Sequence, residues 1–96
     1  MITSIDLLDA AKAKLCINSD YAFAKEIGAT KQCISLIRKN RTCFGVYHCV
    51  ALAEILELEP FAVVASIQCE SARKVADTKK ENVFFKYTNG LLISCG

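Results

Sequence analysis

The stretch SDYAFAKEIGATKQCISLIRKNR, residues 19–41, decides the fold of this chain. Ser19 can cap a first helix, because its side-chain oxygen can accept from a free N–H group of the first turn. Gly28 ends that helix, since glycine readily adopts the left-handed backbone of a helix C-terminus. Thr30 can cap a second helix, which runs from Lys31 to about Lys39. The stretch therefore predicts two short helices joined by a glycine turn.

Small and apolar residues recur through this stretch with the spacing of a helix-turn-helix. Ala24 is small where two helices approach closely, and Gly28 follows four residues later at the turn. Ile34 and Ile37 are apolar where the second helix would meet the core. In a helix-turn-helix the second helix enters the major groove of DNA. The pattern therefore predicts a unit that binds double-stranded DNA.

Charge is distributed unevenly along a chain whose net charge is only +2. Residues 25–41 carry five basic side chains against Glu26, for +4, whereas residues 42–70 carry four Glu and no Lys or Arg, for −4. The basic block coincides with the predicted helix-turn-helix. A local cationic face on a nearly neutral protein suits a polyanion such as DNA, although basic residues also solvate ordinary surfaces.

Composition indicates one folded domain. The chain has 96 residues, of which 53% are hydrophobic and 23% charged, so a single modest core is expected. No apolar run reaches the roughly 18–20 residues of a membrane span. The first residues do not show the basic lead and apolar stretch of a signal peptide. We therefore expect a cytoplasmic protein without membrane contact.

The cysteines and the single histidine give little indication of a metal site or a catalytic site. None of the six cysteines forms a C-x-x-C pair, and the one cluster with ligand-like spacing is Cys43, His48 and Cys49. Buried free cysteine more often behaves as a small apolar residue, so we expect no metal and no cofactor. Because no nucleophile elbow, phosphate loop or metalloprotease helix is present, we also expect no enzymatic activity.

The flanking sequence predicts three further helices. The first runs from Thr3 to Leu15 and opens with a motif that resembles a capping box. Another runs from Val46 to about Leu58. The next runs from Pro60 to about Lys74. Proline is harmless at this first position, because the N–H group there has no helical partner. These helices predict an all-α domain over residues 1–75, with residues 76–96 as a C-terminal extension.

The C-terminal extension admits two structures. Asp77–Asn82 is polar and predicts a linker. Asn89 and Gly90 lie between two apolar runs, Val83–Tyr87 and Leu91–Cys95, which is a strong signal for a β-hairpin. Phe84, Tyr87 and Leu91 also fit one face of a sixth helix. The hairpin is slightly favoured, and the helix is kept as the alternative.

Residues 4–70 resemble the lambda-repressor-like class of helix-turn-helix domains, and within it the short regulators encoded by phages and mobile elements. The stretches that carry the resemblance are DYAFAKEIGATKQCISLIRKNR and VALAEILELEPFAVVASI, of which the second resembles the fourth and fifth helices of that domain. The resemblance implies a five-helix bundle whose third helix reads DNA. Leu36 departs from the class, which often has a polar residue there.

The side chains predicted to meet DNA fall into two groups. Polar and apolar groups that match base edges are expected to read sequence: Gln pairs with adenine, Lys with guanine, and Leu contacts a thymine methyl. The candidate base-reading residues are Lys31, Gln32, Ser35 and Leu36. Hydroxyl and cationic side chains near the helix ends are expected to hold phosphates. The candidate phosphate contacts are Ser19, Thr30, Arg38, Lys39 and Arg41.

A homodimer is expected, because one such domain contacts few base pairs and two reading helices about 34 Å apart fit one face of DNA. Large apolar side chains of the extension are the candidate interface, since they rarely stay exposed. They are Phe84, Phe85, Tyr87, Leu91, Leu92 and Ile93. The same segment could instead cover its own bundle.

The function predicted from these features is that of a sequence-specific transcriptional regulator, acting as a repressor or switch. The resemblance implies that a phage or mobile element encodes it. The alternative is a protein-interaction module, or an antitoxin-like protein that grips a partner protein through its C-terminal segment.

Overall fold

The computed structural model describes residues 2–88, which form six α-helices and no strand. The all-α class is thereby confirmed. The helices are α1 (Ser4–Lys14), α2 (Asp20–Ile27), α3 (Lys31–Arg38), α4 (Val46–Leu56), α5 (Pro60–Lys74) and α6 (Thr78–Phe85). None of these six helices has both the length and the apolar character needed to cross a bilayer.

Side-chain caps fix where the first three helices begin, as predicted. At α1 the capping box is complete: the Thr3 hydroxyl accepts from the Asp6 N–H at 3.2 Å, and the Asp6 carboxylate accepts from the Thr3 N–H at 3.1 Å. Ser19 and Thr30 cap α2 and α3, each accepting a backbone N–H at 3.0 Å. Each such cap stabilises its helix by about 1 kcal/mol, so local sequence defines these three starts.

Most helix C-termini turn through a residue with positive φ. Gly28 has φ 73°, which confirms the predicted left-handed turn between α2 and α3. Four other corners use non-glycine residues with φ between 55° and 60°: Cys16, Asn40, Glu57 and Ala76. α4 ends at Leu56, two residues before its predicted end at about Leu58, because Glu57 adopts the left-handed backbone there. The sequence has no glycine signal for this turn. A bond from the Leu58 N–H to the Ala53 carbonyl, 2.8 Å, closes that turn.

The inner faces of α1 to α5 enclose one hydrophobic core. Phe23 of α2 is its largest fully buried side chain, with none of its surface exposed. The other large members, all at most 1% exposed, are Ile2, Leu7, Leu8, Ile34, Ile37, Leu52, Val63 and Ile67. α3 contributes Ile34 and Ile37 to this core, and Cys33 packs against it, so one side of the helix is held by the core and the other faces outward.

The C-terminal extension begins with a helix. The predicted linker Asp77–Asn82 and the slightly favoured hairpin arm Val83–Tyr87 were wrong, because α6 covers Thr78–Phe85. A sixth helix, the alternative, does form, but it begins earlier than the apolar pattern indicated. Asp77 starts this helix by accepting the Lys80 N–H at 3.1 Å. The second predicted arm, Leu91–Cys95, lies outside the described residues.

Contacts with α5 explain why α6 forms. The thiol of Cys69 donates to the Glu81 carbonyl at 3.4 Å, and Arg73 pairs with the Glu81 carboxylate. Both partners of Glu81 lie on α5, so docking on a neighbouring helix adds to the Asp77 cap. Tertiary contact of this kind routinely outweighs a short-range turn signal. The described part of the extension is therefore packed against the bundle.

Candidate nucleic-acid interface

The side chains of α3 divide between a buried side and an exposed side. Ile34 and Ile37, three residues apart, are 1% and 0% exposed. Three of the four predicted base-reading residues, Lys31, Gln32 and Ser35, are exposed, and the fourth, Leu36, is half-buried. The helical period of 3.6 residues produces this division. The structure thus brings the four predicted base-reading residues onto one helix, anchored by its isoleucines.

Four of the five predicted phosphate contacts are exposed: Ser19, Thr30, Lys39 and Arg41. Two of them have a second role, because the Ser19 and Thr30 hydroxyl oxygens accept the backbone N–H groups that start α2 and α3. A hydroxyl that accepts in this way still has its own proton to donate. The capping role and the predicted phosphate contact are therefore compatible in both residues.

Arg38 is placed differently from the other phosphate candidates. Its Nη2 lies 2.7 Å from Asp9 Oδ1 of α1, and its Nε lies 2.9 Å from Asp20 Oδ2 of α2. Lys12 of α1 completes the network, with its Nζ 2.6 Å from Asp20 Oδ1. The guanidinium therefore orients α3 against α1 and α2. These ion pairs use Nε and Nη2, so a phosphate contact that keeps them can use only Nη1 of Arg38.

The ion-pair network also shifts the pKa of two of its members, Asp20 and Arg38. The hydrogen bond from Arg38 is the largest cause that lowers the pKa of Asp20 to about 2, with Lys12 adding to the effect. The hydrogen bonds from Asp20 and then Asp9 raise the pKa of Arg38. Asp20 and Arg38 are consequently both charged at neutral pH.

Acid should weaken the folded state through Asp20. Because the folded pKa of Asp20 lies below its usual 3.8, its stabilisation is complete above pH 4 and is lost as pH falls towards 2. In urea unfolding measured from pH 5 to pH 2, we expect the wild-type free energy of unfolding to fall more steeply than that of Asp20→Asn. Glu26→Gln, on the exposed side of the same helix, is the control and should keep the wild-type slope. Parallel curves for wild type and Asp20→Asn would contradict this assignment.

Two side chains at this surface were missed from the sequence, Tyr21 and Lys25. Tyr21 is 54% exposed. The Nζ of Lys25 lies 5.5 Å from the centre of its ring, and the Nζ of Lys31 lies 5.6 Å from the same point. The spacing of Tyr21 and Lys25, four residues apart on α2, was a usable signal. The approach of Lys31 from α3 could be found only from the fold.

The environment of Cys43, His48 and Cys49 is described by burial and by ring packing. Burial raises the pKa of the Cys49 thiol to about 12 and, together with the charge of Glu70, raises the pKa of the Cys43 thiol. Within residues 2–88 no group of three or more His, Cys, Asp or Glu side chains is arranged to hold a metal ion. The ring of His48 instead packs near Phe44, with centroids 6.2 Å apart.

The candidate dimer interface is described only in part. Phe84 is half-buried, whereas Phe85 and Tyr87 are 55% and 47% exposed. The Tyr87 ring packs edge-on against Phe61 of α5, which is itself 50% exposed, with centroids 5.2 Å apart. The other three candidates, Leu91, Leu92 and Ile93, lie outside the described residues. An exposed aromatic surface therefore lies where α5 begins and α6 ends.

Comparison with known proteins gives one informative relative. No protein-family model and no solved structure matches the chain significantly. The chain is 31% identical over 85 residues to the "Uncharacterized protein Gp-c" of Pseudoalteromonas phage PM2. The match covers 88% of this chain and 92% of that protein, so the two share nearly their whole length. The chain belongs to the same protein family as Gp-c of phage PM2.

Proposed function

We propose that this protein is a sequence-specific regulator of transcription that binds double-stranded DNA by placing α3 in the major groove. The observation that carries the proposal is the orientation of α3. Its Ile34 and Ile37 are fixed in the core, while Lys31, Gln32 and Ser35 point to solvent. In this proposal α1 to α5 form a lambda-repressor-like bundle and α6 is an addition to it.

Base reading would come from the exposed polar side of α3. The side-chain N–H of Gln32 can donate to N7 of adenine, and its carbonyl oxygen can accept from the N6 amino group. This pairing requires that both the amide nitrogen and the amide oxygen are free. Gln32 is exposed and its amide makes no hydrogen bond within residues 2–88. Leu36 is only half-buried and offers apolar contact to a thymine methyl. Together they supply one hydrogen-bonding and one apolar reader.

Phosphate contacts would hold α3 in register. Lys39 and Arg41 are exposed at the C-terminal end of α3, and Ser19 and Thr30 lie at the starts of α2 and α3. Free N–H groups at those two helix starts add further donors for phosphate oxygens. Arg38 is left out of this set because its guanidinium is bound by two carboxylates.

A homodimer would supply the second reading helix. The structure describes Phe84, Phe85 and Tyr87 of the candidate interface. Phe85 and Tyr87 are exposed, and Tyr87 packs against the exposed Phe61 of α5. Aromatic side chains are enriched at protein interfaces, and two copies joined there could present two α3 helices. The family relationship is compatible with this role, because Gp-c belongs to a phage and phages encode many short regulators of this kind.

The same aromatic surface favours one alternative, a protein-interaction module or antitoxin-like protein that binds another protein there. Salt dependence separates the two functions. Affinity for DNA falls steeply as salt rises, because binding releases counterions from the phosphates. A module that binds only proteins would show no affinity for duplex DNA and hence no such slope.

The proposal is tested by selecting bound duplexes from a random DNA pool and then measuring affinity for the selected site and for unrelated DNA. We expect Gln32→Ala to weaken binding to the selected site roughly 10- to 100-fold, since a bidentate base contact discriminates by about 1–3 kcal/mol. Binding to unrelated DNA should hardly change. Gln68→Ala, which removes the same type of side chain from α5, is the matched control.

Two results would contradict the proposal at different levels. Equal losses on both DNAs would remove Gln32 from base reading. Failure of the wild-type protein to bind any duplex at low salt would refute the DNA-binding function itself.

A further inference from the structure

The surface between α2 and α3 gathers two positive charges around one aromatic ring. Tyr21 and Lys25 share a face of α2, and the Nζ of Lys25 lies 5.5 Å from the centre of the Tyr21 ring. Lys31, the first residue of α3, brings its own Nζ to 5.6 Å from the same centre. Contact with the ring face is favourable for each ammonium group. It also places two like charges around the same ring.

Neither ammonium group is neutralised by the protein. Among residues 2–88 every ion pair within 4.0 Å involves other cations: Lys12, Arg38, Arg73 and Lys74. Lys25, Lys31 and Tyr21 are all exposed, so an incoming group can reach them. An anion that contacts both ammonium groups would reduce the repulsion between them.

The chemistry of the three side chains selects the kind of anion. Two ammonium groups and a phenol hydroxyl offer several N–H and O–H donors at one place. Tyr21 also lies in the first turn of α2, where free backbone N–H groups carry partial positive charge. A tetrahedral oxyanion with several acceptor oxygens matches this set better than a single carboxylate does. Phosphate is such an anion.

We infer that Tyr21, Lys25 and Lys31 form a phosphate clamp that binds one backbone phosphodiester of the DNA duplex. The inference rests on the proposed function and deepens it, because it assigns Lys31 to the backbone rather than to a base edge. The ammonium of Lys31 lies back over a side chain of α2, whereas a base reader would extend away from the protein. Gln32, the next residue, remains the base reader.

The first arm of the test measures the salt dependence of binding to a selected duplex and to an unrelated duplex. Lys25→Gln and Lys31→Gln should each weaken both complexes by the same factor and reduce the slope of log affinity against log salt by about 0.9. Lys79→Gln, an exposed lysine of α6, is the matched control and should leave the slope unchanged. Tyr21→Phe keeps the ring and should weaken both complexes without changing the slope.

The outcomes separate the clamp from the DNA-binding function. If wild type binds duplex with a clear salt slope but Lys25→Gln keeps that slope, the clamp is overturned and the function stands. If Lys31→Gln loses affinity for the selected duplex alone, Lys31 is a base reader and the clamp is likewise overturned.

The second arm uses inorganic phosphate and does not depend on DNA. In a two-dimensional NMR titration at low ionic strength, phosphate should shift the backbone amide signals of Tyr21 and Lys25 in wild type, and not in a Lys25→Gln/Lys31→Gln double variant. Shifts in a protein that binds no duplex would show an oxyanion site whose ligand is a free phosphate compound, overturning the assignment to DNA. Absence of shifts, together with an unchanged salt slope, would refute the clamp entirely.

Discussion

Replacing Phe23 by alanine should lower the free energy of unfolding by about 3–5 kcal/mol, the usual cost of truncating a fully buried aromatic side chain. Phe23 has no exposed surface and is the largest fully buried side chain of the protein's described core. The cost has two parts, the lost burial of the ring and the cavity that the bundle cannot fully close. For a chain of this size such a change lowers Tm by more than about 10 °C.

Urea and thermal unfolding followed by circular dichroism measure this effect. The matched control is Tyr21→Ala, which removes an aromatic side chain two residues away on the same helix, but one that is 54% exposed. It should cost less than about 1 kcal/mol, as is usual for a surface substitution. Similar losses for both variants would show that Phe23 is not the centre of the core.

The Phe23 variant also bears on the proposed function. Phe23 of α2 and the two isoleucines of α3 belong to the same core cluster, so the ring helps to fix α3 relative to α2. We expect the folded fraction of Phe23→Ala and its DNA affinity to fall together on warming. Tyr21→Ala should instead remain folded while losing affinity, since the ring of the phosphate clamp is removed.

Replacing Glu70 by alanine should have the second-largest effect on stability. Glu70 of α5 is 7% exposed. Its Oε1 accepts the Ser4 N–H at 2.8 Å and the Ser4 hydroxyl at 2.9 Å, and that hydroxyl oxygen accepts the Phe44 N–H at 3.1 Å. One carboxyl group therefore joins α5, the start of α1 and the loop before α4.

We expect Glu70→Ala to cost roughly 2–4 kcal/mol, because each buried donor left without a partner costs about 1–3 kcal/mol. Glu70→Gln should cost less, since its amide oxygen can still accept from Ser4. Glu54→Ala, which removes an exposed carboxylate from α4, is the control. Urea unfolding at neutral pH measures all three, and a loss in Glu70→Ala no greater than that in Glu54→Ala would contradict the role of this network.

Much of the helical framework could be predicted because its signals are local. A hydroxyl at Ser19 or Thr30 can cap a helix only through N–H groups two or three residues away, so the helix starts are readable from neighbouring residues. The left-handed turn at Gly28 follows from the backbone freedom of that one residue. The spacing of Ile34 and Ile37 likewise identified the buried side of α3, and with it the side that carries Gln32.

The C-terminal end shows where local signals are insufficient. Asn89 and Gly90 have a strong preference for a hairpin turn, yet the preceding residues form α6. The stabilising contacts of α6 are made by Cys69 and Arg73, which lie on another helix. No pattern within the extension contains that information.

For the candidate interface too, one part could be predicted from the sequence and another part only from the packing of the helices. Helical periodicity determines which side chains of α3 lie outside the core. Because it is a property of consecutive residues, it could be predicted without the fold. Which cations on that surface are free is a consequence of distant partners. Arg38 is bound by carboxylates 29 and 18 positions earlier in the chain, whereas Lys25 and Lys31 converge on Tyr21 across a turn. Charge pairing depends on distances of a few ångströms between separate helices, and only their packing sets those distances.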